Sequence, residues 1–136
     1  MAPDSRLRAR SAMFWLVALI AAGIIFIGAR FLVVPLPAAD AFGVPANGSH
    51  PLAYLWAKGT RDIVSGLLLM ALVLAGASRR VVALFLAVAA LIPIGDFLNV
   101  RANEGVTNPT ALAIHGGTAV GMLILAWCLA RSRAEA

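Results

Sequence analysis

Few residues in this chain are equipped for chemistry in water. Charged side chains make up 12% of its 136 residues, and it holds two histidines, one tyrosine and one cysteine. The single cysteine, Cys128, excludes an intrachain disulfide and a thiolate metal cluster, and it leaves the redox compartment unread. Gly-rich phosphate loops and dinucleotide fingerprints are absent, so no bound cofactor is expected. The formal charge is +5, yet no basic module interleaved with aromatic residues is present, which sets nucleic acid aside as a partner. A nucleophilic triad is missing too: Ser65 sits one turn deeper than Asp62 in the same run, and nothing places His115 beside it.

What is abundant is apolar. Hydrophobic residues form 62% of the chain, against roughly half in soluble domains, where about a quarter are charged. Only an integral membrane protein fits this balance, and the length suits one domain, 1–136. The first apolar run, about 12–34, is broken only by Arg30. Its basic approach and Ala39-Asp40-Ala41 imitate a secretory signal, but about 23 residues exceed a signal core and reach the ~20 needed to cross a bilayer. It is read as a retained helix.

Pro35 and Pro37 end that helix, and a loop rich in Gly, Pro and Asn leads to Pro51. Ser49-His50-Pro51 and Asn108-Pro109 read as helix entries, with proline in the first turn, where its missing N–H costs nothing. Further helices are expected at about 52–75, 81–100 and 109–129, the third with a kink and a freed carbonyl at Pro93. Arg6, Arg8, Arg10, Arg79, Arg80, Arg131 and Arg133 then fall on one side and Arg101 alone on the other. The positive-inside rule places both termini in the cytoplasm. The expected fold is all-α, a four-helix transmembrane bundle in a bacterial inner (cytoplasmic) membrane, with membrane lipid as its surroundings.

The remaining polarity is concentrated. Lys58-Gly59-Thr60-Arg61-Asp62 sets three charges into the second run, each costing about 2.5–3.5 kcal/mol to insert on translocon scales. At 1.5 Å per residue, Arg30 lies about 7 Å inward from Pro35, Lys58 and Asp62 about 10 and 16 Å from Pro51, Asp96 about 10 Å from Asn103 and His115 about 9 Å from Pro109. Four helices thus carry their unusual side chains in one layer of the outer half. Faces agree with depth: Lys58, Arg61, Asp62 and Ser65 share one arc, Asp96, Asn99 and Asn103 another, His115, Thr118 and Met122 a third. Lipid offers these groups no partner, so the arcs should face one another.

This inventory suits a polar pocket in the outer half that binds a small amphiphile through an anionic or carbonyl group. Arg30, Lys58, Arg61, Asn99 and Thr118 would contact the ligand. Asp62, Asp96 and His115 could transfer protons without a cofactor, while a cation holds a developing oxyanion. Three cations facing two carboxylates would leave one positive charge for the ligand to match. Each group also has a structural reading: Arg61 paired with Asp62 or Asp96 to fix helix register, His115 as a hydrogen-bonded packing residue, Arg30 and Lys58 snorkelling outward. The layer would then be glue in a structural or assembly protein. Proton or solute permeation is the weaker alternative, because the inner half offers no polar path. Three nearby cations argue against a metal site. Gly117 and Gly121 form a small-xxx-small pattern that fits close intrachain packing better than a homo-oligomer contact.

Gly28-Ala29-Arg30-Phe31, Lys58-Gly59-Thr60-Arg61-Asp62, Ile94-Gly95-Asp96 and His115-Gly116-Gly117-Thr118 together resemble the small membrane proteins grouped as the domain-of-unknown-function 4267 family. The resemblance implies a four-helix integral membrane protein and supplies no activity. The helix plan is also loosely similar to DoxX-like membrane proteins, a likeness of architecture that does not transfer function.

Overall fold

The computed structural model describes residues 6–7, 9, 11–44, 46, 50–104 and 107–131. Six helical elements follow one another: α1 Ala12–Val33, α2 Pro35–Phe42, α3 Pro51–Leu74, α4 Arg79–Ala89, α5 Leu91–Glu104 and α6 Pro109–Arg131. Among the described residues the only extended pairing is an isolated bridge between Arg6 and Ser78.

The local chemistry explains the boundaries. Ser11 caps α1, its hydroxyl accepting from the Met13 N–H at 3.2 Å. Pro35 pushes Val34 out of the helical region, to φ −132° and ψ 64°, and α1 stops. Pro35 then opens α2 as its first residue, where a proline fits. Gly43, at φ +99°, closes α2 in a left-handed conformation that a side chain would strain. Ser78 caps α4 through the Val81 N–H, and Asn108 caps α6 through the Ala111 N–H at 3.1 Å. Pro93 cannot donate to the carbonyl of Ala89, and the third span breaks there into α4 and α5.

Three helices are long and apolar enough to cross a membrane: Ala12–Val33, Arg79–Asn103 and Pro109–Arg131. The chain reads as an integral membrane protein. Of the four expected membrane helices α3 is not among these three, because its every eighteen-residue stretch includes Lys58, Arg61 and Asp62. The loop expected over 35–51 contains α2, and the third helix runs on to Glu104 rather than ending near Val100. Large apolar side chains are exposed on α1, α3, α4, α5 and α6, with Leu19 at 69%, Leu74 at 71% and Leu84 at 66%. Soluble monomers rarely show such continuous apolar surface, and hydrocarbon would cover it.

The core occupies the arginine-rich end. Val17 and Ala21 of α1 meet Leu69 and Val73 of α3, Val82 and Leu86 of α4, and Met122 and Leu129 of α6. A smaller cluster of Phe31, Ala38 and Ala39 lies at the opposite end under α2. The closest helix approach joins α1 to α3. A Cβ on Gly28 would come within 2.6 Å of the Gly59 carbonyl oxygen, and one on Gly66 within 2.8 Å of the Ala21 carbonyl oxygen. The small residues of α6 do not do this work: a Cβ on Gly117 or Gly121 would meet nothing within 4 Å. Close intrachain packing through that pattern, expected from spacing alone, is therefore wrong.

Candidate functional site

The unusual side chains of α3 fall on one arc, and that arc turns toward α5. Asp62 is the buried charged residue among those described, 4% exposed. Its Oδ2 accepts from Lys58 Nζ at 2.8 Å, one helical turn back. Its Oδ1 accepts from Arg61 Nε at 3.0 Å and Nη2 at 2.9 Å. Lys58 Nζ also reaches across to Asp96 Oδ2 at 3.4 Å. Arg61 Nη2 stands 3.8 Å from Asp96 Oδ1, a longer contact than the Lys58 bond. Asp96 therefore takes Lys58 as its hydrogen-bonded partner, and of the two carboxylates expected for Arg61 it is Asp62 that Arg61 holds more closely.

The cluster is less buried than expected. Lys58 and Asp62 form one well-buried pair, while the Arg61 side chain is 45% exposed. Arg30 is half-buried, makes no ion pair among the described residues and lines neither cavity described below. Two cations therefore meet two carboxylates, and the surplus positive charge expected from composition is not at the site.

Aromatic rings complete the surroundings of Lys58. Its ammonium lies 4.9 Å from the Phe31 ring centroid and 4.7 Å from that of Phe42, within the range of cation–π attraction. Phe42 also contacts His115, with ring centroids 4.5 Å apart. His115 Nε2 lies 3.0 Å from the Phe42 carbonyl oxygen. A carbonyl only accepts, so Nε2 carries a proton, and in the imidazole form Nδ1 is the acceptor. His115 thus joins the layer through Phe42 rather than through a carboxylate.

Two cavities meet at this layer. The inner one, ≈ 90 Å³, is walled mainly by apolar side chains of α1, α5 and α6, with Ser65, His115 and Thr118 among them. The outer one, ≈ 310 Å³, is more polar and is bordered by Tyr54, Arg61 and Asn99. Phe42, Lys58 and Asp96 line both and form the partition. Asn99 accepts at Oδ1 from Asn103 Nδ2 at 2.8 Å, leaving its own amide protons uncommitted by that bond. Among the described residues no cluster of three or more His, Cys, Asp or Glu could hold a metal ion.

The sequence reading selected Lys58, Arg61, Asp62, Asp96, Asn99, His115 and Thr118, all of which line one or both cavities. It missed Phe31 and Phe42. The sequence does carry a signal for Phe42: Pro35 opens a helix in the same way as Pro51 and Pro109.

A family model described as "Domain of unknown function (DUF4267)" matches residues 21–129. No curated protein and no solved structure matches the chain, and the likeness to DoxX-like proteins has no match behind it.

Proposed function

The chain belongs to the domain-of-unknown-function 4267 family, and from its geometry we propose a four-helix membrane protein that binds a small amphiphile through its outer half. In this reading α1, α3, the broken α4–α5 span and α6 are the four membrane helices, α2 lies at the outer end, and both termini are cytoplasmic. The ligand spans the two cavities, the inner one mainly apolar and the vestibule bordered by Arg61 and Asn99.

One observation carries the reading. An apolar chamber and a polar mouth share a wall made of Lys58, Asp96 and Phe42, which suits a molecule with unlike ends. Proton transfer fits only in part. Asp62 and Asp96 face Lys58 and Arg61 at hydrogen-bond or ion-pair distance, which favours carboxylates as fixed counter-charges. His115 Nδ1 is the better candidate base.

The internal balance of two cations and two carboxylates favours a second reading, in which the layer only holds α3 to α5. Native mass spectrometry of protein released from mild detergent separates the two. Binding predicts a co-purifying small molecule that is lost when Ala89→Leu fills the inner cavity. An empty parent protein that remains empty after incubation with membrane extract would leave the structural reading standing.

A further inference from the structure

The polar groups that line the inner cavity share one property. Ser65 donates its hydroxyl proton to the Arg61 carbonyl at 2.9 Å, and Thr118 donates its own to the Ile114 carbonyl at 2.7 Å. Each hydroxyl has a single proton, so each offers the cavity only lone pairs. His115 spends its Nε2 proton on the Phe42 carbonyl, which leaves Nδ1 as an acceptor. Asp62 and Asp96 are acceptors by nature. Pro93 has no N–H for the Ala89 carbonyl, and both residues line the cavity. Lys58 is the exception, and its protons are directed to two carboxylates and the faces of Phe31 and Phe42.

The vestibule has donors besides Lys58. Arg61, Tyr54 and the amide of Asn99 bring donors to its wall. Lys58 and Asp96 line both sides, and beyond them the inner cavity offers acceptors while the vestibule adds donors.

Resting on the binding reading above, we infer that the inner cavity takes the uncharged hydroxyl end of a largely apolar molecule, an alcohol or phenol. A carbonyl or ether oxygen placed there would find lone pairs facing lone pairs. A carboxylate would add a third negative charge beside Asp62 and Asp96. An ammonium would satisfy the acceptors but would add a third cation to a cluster already balanced. A neutral hydroxyl donates one proton and disturbs no charge.

The test uses the detergent-solubilised full chain and three probes at matched micellar concentration: 1-octanol, its ether isomer 1-methoxyheptane, and octanoate. Affinity is read from the concentration dependence of the melting temperature, with Ala89→Leu as the filled-cavity control. The expected result is 1-octanol binding roughly tenfold tighter than either of the others, the worth of one buried hydrogen bond, and losing that advantage in Ala89→Leu. Equal affinity for the ether, or tightest binding of octanoate, would overturn the hydroxyl inference and leave amphiphile binding intact. If none of the three stabilises the parent more than Ala89→Leu, the binding reading falls and this inference with it.

Discussion

Removing Asp62 should be far more damaging than removing Asp96, although both carboxylates face the same lysine. Asp62 accepts three short charge-assisted bonds, one from Lys58 and two from Arg61, and its side chain is 6% exposed. Asp62→Ala leaves Lys58 with the 3.4 Å contact to Asp96 as its one carboxylate partner, and breaking a buried pair costs about 3–5 kcal/mol. Asp96→Ala deletes that single longer bond, from a side chain that is 17% exposed. Lys58 then keeps Asp62, and the loss should be about 1–2 kcal/mol. Unfolding of purified protein in mixed micelles, titrated with dodecyl sulfate, measures both. Combining Asp62→Leu with Lys58→Met removes charge and counter-charge together and should recover about 1 kcal/mol or more relative to the sum of the single changes. Equal losses for the two aspartates, or strict additivity in the cycle, would refute the partner assignment.

Other outcomes follow from the same geometry. Gly66→Leu should prevent a stable fold, because its Cβ position already lies within 2.6 Å of Ile25 and 2.8 Å of the Ala21 carbonyl. Gly117→Ala should be neutral or slightly stabilising by the same melting assay, since the added carbon meets open space and alanine favours helix by up to about 1 kcal/mol. His115→Gln should keep the melting temperature, because an amide can donate to the Phe42 carbonyl as the imidazole does. It should weaken retention of any co-purifying ligand; unchanged retention would remove His115 from the site. With Cys128 replaced, Asn103→Cys in intact cells should react with an impermeant maleimide and Arg80→Cys should not. The opposite pattern would invert the proposed orientation.

The polar layer was legible because membrane insertion makes charge rare, so each exception in an apolar run carries weight. Depth counting from helix ends placed Lys58, Asp62, Asp96 and His115 at one level without any tertiary information, and all four line the inner cavity. Pairing was not legible at that resolution. Lys58 and Arg61 share an arc and both reach Asp96 to within 4 Å, and only rotamers separate a 3.4 Å bond from a 3.8 Å contact. Arg30 failed for a related reason: depth said nothing of its direction. Helix packing failed because a glycine pattern shows where backbones are able to meet, while shape across the whole interface decides where they do. Gly28, Gly59 and Gly66 lie too far apart in sequence to form a short motif, yet they make the closest approach.

In the proposed four-helix arrangement, the charges of α3 also bear on how the protein enters the membrane. Offered alone to the translocon, three charges at about 2.5–3.5 kcal/mol each make α3 a poor inserter. Asp62, however, pairs with Lys58 and Arg61 within α3 itself, so most of the neutralisation is available while the nascent segment is still emerging. Asp96 arrives 38 residues after Lys58, too late to help the first crossing. The nearest earlier partner is α1, which already waits with Gly28 to receive Gly59. Synthesis order therefore favours lateral release of α1 and α3 as one hairpin, with the later helices closing over a charge pair that was assembled before they existed.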